Sequence, residues 1–196
     1  MEQFHTDPIP DITQTDSRRP GFLRFLLDVV ETLILSVILF AAINAVSARI
    51  RVDGASMEPT LRSGEFVIVN KLAYMLRKPQ VGDVIVFHYP RDPSQEYIKR
   101  VIGLPGDQIS VREGQVYVNE QPLEEDYIAA SPVYEYDQNV PEEALFVLGD
   151  NRNNSSDSHN WGSVPLDYVV GKALFVYWPP TEWGALEQPS PVSAAP

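Results

Sequence analysis

The sequence predicts a mainly β body carried behind one N-terminal apolar helix. Short β-branched and aromatic runs recur from residue 50 to residue 177, each bounded by Gly, Pro, Asn or Asp. No helical period separates these runs, which favours a barrel or packed sheets over an α/β alternation. Ahead of them, Phe22 to Val46 is the one long apolar stretch of the chain.

Residues 1–20 are polar, carry Pro8, Pro10 and Pro20, and read as a flexible tail. Residues 22–48 then form the predicted anchor. Its uninterrupted apolar part, Leu33 to Val46, falls short of the roughly 20 residues that cross a bilayer core. A span must therefore include Phe25 to Thr32, with Asp28 and Glu31 near its end, where carboxylates are tolerated. Val46-Ser47-Ala48 has the small-x-small form of a signal cleavage site, but the polar region before the apolar core is too long and too acidic for one. A buried core helix would need a polar face, and Leu33 to Ala42 is apolar all round apart from Ser36. A single-pass anchor fits best. Arg18, Arg19 and Arg24 before it, against Arg49 and Arg51 after it, place the N-terminus in the cytoplasm and the body on the extracytoplasmic side of the cell membrane.

Within the body, residues 49–178, the predicted strands are Ile50 to Val52, Glu65 to Asn70, Asp83 to Tyr89, Glu96 to Ile102, Asp107 to Arg112, Gln115 to Val118, Leu145 to Leu148 and Lys172 to Tyr177. Lys71 to Arg77 suits one helical turn. Glu113-Gly114 and Asn119-Glu120 mark turns. Residues 120–143 are acidic and Pro-punctuated and read as a surface excursion. Residues 179–196 are rich in Pro, Ser and Ala and read as a disordered tail.

Composition excludes several functions. A net charge of −12 with no basic run argues against a nucleic-acid partner. With no cysteine there is no disulfide, thiolate nucleophile or Cys-bound metal. Only His5, His88 and His159 are available as histidine bases or ligands. Asp150, Asp157 and His159 lack the spacing of a metal site, so neither metal nor cofactor is expected.

The chemistry centres on Ser56, placed after a short strand and before a Pro-containing turn. A serine hydroxyl is a poor nucleophile until a base takes its proton. His159, in a polar loop, is one candidate base, with no acid at a telling spacing. Lys99 is another. Alternation puts it on one strand face with Tyr97 and Val101, while Arg100 shares the other with Ile98 and Ile102. A lysine buried there loses solvation of its charged form and its pKa falls, whereas a guanidinium stays protonated. The bland alternative is a lysine that snorkels to the sheet edge. The polar stretch Leu148 to Pro165 supplies partners. Ser155 or Ser156 could hydrogen-bond a neutral lysine, and Asp150 and Asp157 could pair with Arg100 or Arg152.

SMEPTL, GDVIVF, YIKRVIGLPGD and GDNRNNSSDSHNWG, in this order behind one anchor, resemble the motif boxes of type I signal peptidase. These are membrane-bound proteases with a Ser-Lys dyad and a β core related to that of LexA-type repressors. The resemblance covers about Ile50 to Tyr177. It implies that Ser56 is the nucleophile, Lys99 the general base, Ser155 a hydrogen-bond partner of the lysine, and the Ser56 N–H an oxyanion donor. It also implies shallow substrate pockets lined by Val52, Met57, Leu61, Tyr97 and Ile98, and as partners signal-peptide-bearing preproteins and the lipid bilayer. Two positions depart from the common pattern. Gly54 stands where some members have a serine whose hydroxyl is a second oxyanion donor. His159 stands where arginine is usual, which makes a pair with Asp157 conditional on pH. Trp178 and Trp183 either touch the membrane interface or pack on the body.

Two other readings compete. A self-cleaving repressor of the LexA kind would need a DNA-binding region, which residues 1–48 do not offer. A tethered β module without activity would show no acylation of Ser56 by a penem.

Overall fold

The computed structural model describes residues 21–186; the expected tails at residues 1–20 and 187–196 lie outside the described residues. The chain divides into two units between Ala42 and Ile43. Helix α1, Phe22–Val46, has 25 residues and none of them is buried. At 1.5 Å per residue it is about 37 Å long, more than the hydrocarbon thickness of a bilayer. Thr32 Oγ1 donates to the Asp28 carbonyl and Ser36 Oγ to the Thr32 carbonyl, so the hydroxyls of this apolar helix bond back to their own backbone. It is long and apolar enough to cross a membrane, and with no buried face it does not serve as a core helix.

The body begins at once with β1, Ser47–Arg51, then β2, Phe66–Asn70, and the single helical turn α2, Ala73–Leu76. Ser47 and Ala48 pair with Asn70 and Val69, so the small-x-small sequence belongs to a sheet strand. Next come β3 (Val84–Tyr89), β4 (Asp92–Gly103), β5 (Gln108–Arg112), β6 (Gln115–Val118), β7 (Gln121–Pro122), β8 (Tyr136–Asn139) and β9 (Ala144–Leu148). After them follow α3 (Ser158–Trp161), β10 (Val164–Pro165), β11 (Val169–Trp178) and β12 (Gly184–Ala185). One eight-stranded sheet runs β1-β2-β11-β3-β4-β9-β10, with β12 beside β11, and a second runs β7-β6-β5-β8. The pairings are antiparallel in both. The body is therefore packed sheets.

Three apolar clusters hold it together. Val52, Met57, Leu61, Val67, Val84 and Ala173 form the one nearest the predicted site. Ile85, Phe87, Val101 and Leu145 form a second, and Ile102, Ile109, Phe146 and Leu148 belong to the third. β4 lies between β3 and β9. Its Ile98 packs on the Met57 cluster and its Tyr97 on the Ile85 cluster, as expected for a strand covered on both faces. The β5–β6 connection is a two-residue hairpin with Glu113 and Gly114 both left-handed, at φ 52° and 76°. That is the mirror-image turn whose twist matches two antiparallel strands.

The structure corrects four expectations. Residues 120–143 are not merely a surface excursion: β7 and β8 complete the second sheet, and Leu123 and Val140 enter its core. Residues 148–165 are not all loop. Asp157 caps α3 by accepting from the His159 N–H, and Asn160 bonds back to the Asp157 N–H. The stretch expected to begin a disordered tail at Pro179 instead adds β12 to β11, and Leu186 packs on the Met57 cluster. The first strand starts at Ser47 and ends at Arg51, short of Val52.

Candidate active site

Ser56 is held from both sides. Val52 donates to the Glu65 carbonyl at 2.8 Å and accepts from Gly64 at 2.9 Å, which closes the loop between them. Inside it, Leu61 N–H reaches the Met57 carbonyl at 2.9 Å, a helical turn that places two apolar side chains one above the other in the core. From across the site, Asn151 N–H donates to the Ser56 carbonyl and its side-chain amide to the Ala55 carbonyl, each at 3.1 Å. This approach depends on Gly149. A Cβ there would stand 2.3 Å from both the Ser56 carbonyl oxygen and Ser155 Oγ.

Lys99 comes from the middle of β4, opposite Ile85 of β3. Its Nζ lies 2.8 Å from Ser56 Oγ and 2.9 Å from the Ile98 carbonyl oxygen, and 5.4 Å from the centre of the Tyr97 ring. The residue is only 4 % exposed, so it does not snorkel to solvent. Burial pushes its pKa down to about 8, opposed by the negative fields of Asp157 and Asp150. No carboxylate bonds to the amine. A hydroxyl at hydrogen-bond distance from an amine that gives up its proton near pH 8 can be deprotonated in place.

The neighbouring Arg100 is fixed instead as an ion. Its Nε and Nη2 grip both oxygens of Asp150 at 2.8 and 2.6 Å, and Nη1 donates to the Gly82 carbonyl at 3.0 Å. The Tyr127 ring lies 4.0 Å from its guanidinium carbon. Arg152 is equally buried, donating through Nε to the Gly149 carbonyl and pairing with Glu125 through both terminal nitrogens. These two arginines tie residues 125–127 to the loop that holds Ser56.

Of the expected pairings, Asp150 with Arg100 is formed. Asp157 accepts from the Gly149 N–H at 3.0 Å and lies 2.6 Å from His159 Nδ1, with the His159 ring stacked on Tyr134. His159 is thus placed away from the base role by its contacts, with Nε2 beside the Asn160 amide. Ser155 differs from expectation: its Oγ is buried and has no hydrogen-bond partner, while Lys99 bonds to Ser56 and Ile98. Gly54 adopts φ 92°, with open space where a Cβ would sit, and its N–H donates to Ser63 Oγ at 3.3 Å. Val52, Met57 and Leu61 are almost wholly buried, with Ile98 packed against them. Tyr97 lies on the opposite face, against the Ile85 cluster. Among the described residues no group of His, Asp and Glu is arranged to hold a metal.

Sequence reasoning missed Glu125, Tyr127, Asn151 and the buried Lys172–Asp83 pair. A tyrosine standing among acids in Glu124-Glu125-Asp126-Tyr127 was the one sign that the acidic stretch touches the core.

The family model described as "Signal peptidase, peptidase S26" matches residues 26–178. "Probable signal peptidase I-2" of a Synechocystis species is 44% identical over 82% of this chain and 77% of its own length. "Probable signal peptidase I-1" of the same organism is 41% identical over 85% of this chain and 90% of its own length. "Signal peptidase I" of Leptolyngbya laminosa is 43% identical over 84% and 85%. With the motif boxes in order and the family model spanning both the apolar helix and the sheets, the chain belongs to the signal peptidase family, peptidase S26.

Proposed function

We propose that this chain removes N-terminal signal peptides from exported preproteins at a membrane surface, as a serine endopeptidase with a Ser56–Lys99 dyad. The observation that carries the reading is the 2.8 Å contact between Ser56 Oγ and an almost fully buried lysine amine. Neutral Lys99 takes the Ser56 proton as Oγ attacks the scissile carbonyl. The lysine then returns the proton to the leaving amine, and water, activated by the same amine, releases the acyl group from Ser56. The Ser56 N–H stabilises the oxyanion. Gly54 brings no hydroxyl to help it. The substrate lies extended. Val52, Met57, Leu61 and Ile98 form the floor against which small side chains rest, and Tyr97 borders the lysine.

Asp150, Asp157 and Arg100 act through position, by fixing the loop across from Ser56. Residues 22–48 are the anchor and residues 49–178 the catalytic body, with the N-terminus cytoplasmic and the body extracytoplasmic. Ser56→Ala and Lys99→Ala, each incubated with a signal-peptide substrate and read by mass spectrometry, are expected to lose cleavage by at least about a thousandfold. Their melting temperatures should stay close to that of the parent. Substantial cleavage by either variant would remove the dyad.

A further inference from the structure

The body carries a patch that catalysis does not use. Around α2, Met75 is 76% exposed, Leu72 is 38% exposed, and Leu174 of β11 is exposed to the same degree as Leu72. Lys71, Arg77 and Lys78 are exposed among them, and none forms an ion pair among the described residues. Two open grooves flank the turn. One of about 740 Å³ is lined by Val46, Val69, Leu72 and Leu174, and one of about 550 Å³ by Met75, Lys78 and Asp167; Arg77 lines both. Three cations against the single acid Asp167 invert the charge of a chain whose net charge is −12.

The position of the patch says what covers it. Lys71 N–H donates to the carbonyl of Val46, the last residue of α1, at 3.0 Å. Where an apolar helix ends in a bilayer the headgroup layer begins, and the patch is bonded to that residue. We propose that it docks the body on anionic lipid headgroups, with Lys71, Arg77 and Lys78 on phosphates and Leu72 and Met75 entering the acyl boundary. An unbranched methionine suits a fluid surface that offers no fixed pocket. The proposal rests on the membrane anchor and adds a second, charge-dependent contact to it.

The chain has no cysteine, so Met75→Cys gives one labelling site. The full-length protein carrying an environment-sensitive fluorophore there is reconstituted into phosphatidylcholine vesicles, with or without phosphatidylglycerol, containing brominated acyl chains as quencher. Quenching is expected in the anionic vesicles. It should fall about fivefold or more, the weight of a single charge, in neutral vesicles, in high salt, and in the Lys71→Ser/Arg77→Ser/Lys78→Ser variant. That variant should cleave a preprotein normally in detergent, and flotation with vesicles reports the anchor separately. Loss of docking is thereby distinguished from loss of the peptidase or of the anchor. Equal quenching in neutral and anionic vesicles, or none in either, overturns the proposal. So does quenching that follows protein density instead of lipid charge, which would assign the patch to a second copy of the chain.

Discussion

Lys99 and Lys172 are both register partners of Ile85, one on each side of β3, and both are almost wholly buried. Two strand spacings put them about 10 Å apart in one sheet. Lys172 meets Asp83, whose other oxygen is held by Tyr74 Oη and the Gln80 N–H. Burial and the adjacent Asp83 carboxylate push the Tyr74 hydroxyl well above its usual range, which keeps it a donor. Lys99 meets a hydroxyl and a carbonyl, and its nearest carboxylates act only through their field. Burial is nearly the same at the two positions. The partner differs, and the partner decides whether a buried amine is a structural ion or a group that releases its proton.

Exchanging each lysine for methionine is the strongest way to break this comparison. Lys99→Met is expected to lose cleavage by at least about a thousandfold while its melting temperature holds, since no buried carboxylate is left unpaired. Lys172→Met leaves the buried Asp83 without its cation, at a cost of about 3–5 kcal/mol. That is a fall of roughly 10 °C in a chain of this size, measured by calorimetry, with the cleavage rate per folded molecule nearly unchanged. If Lys99→Met melted early, or Lys172→Met stayed folded but inactive, the two partners would not be performing these different tasks.

A smaller effect sharpens the Lys99 side. Only the neutral amine can take the Ser56 proton, and burial sets its pKa at about 8. For the free enzyme, kcat/KM should therefore climb about tenfold per pH unit below that value and level off above it. Asp157 and Asp150 stabilise the charged form, so removing one of them moves the midpoint down, not up. Asp157→Asn also weakens the cap of α3 and the contact with His159, so its maximal rate falls as well. The midpoint of the pH–rate profile separates the two effects, and an upward shift would contradict the field assigned to Asp157.

What was legible in the sequence follows the same division. Ser56 and Lys99 lie 43 residues apart, yet each sits in a local pattern, a Pro-containing turn and an apolar strand, that points to the site. Strand positions were readable because alternation and turn residues are local signals. Ion pairs are not local. Lys172 and Asp83 are 89 residues apart and Arg152 and Glu125 are 27 apart, and nothing in either neighbourhood names the partner. The α3 turn has four residues, too few for a helical period, and only the Asp157-to-Asn160 spacing hinted at its cap. β12 was hidden by a Pro-rich, Ala-rich composition that reads as disorder until β11 offers it an edge.

Ser155 is where motif and geometry disagree, and it gives the smallest and most discriminating test. The resemblance expects its hydroxyl to hold the lysine, but its Oγ is buried beside Gly149 with no partner. Removing an unsatisfied buried hydroxyl costs no hydrogen bond, so Ser155→Ala should leave the melting temperature unchanged or slightly raised. Ser56 and the Ile98 carbonyl already hold the amine, so kcat/KM should fall by less than about tenfold, the worth of one hydrogen bond. A loss approaching that of Lys99→Met, with stability intact, would mean that the hydroxyl turns onto the lysine once substrate is bound. The orphaned oxygen would then be a third partner that orients the base, and the contrast between the two lysines would rest on three groups at Lys99 instead of two.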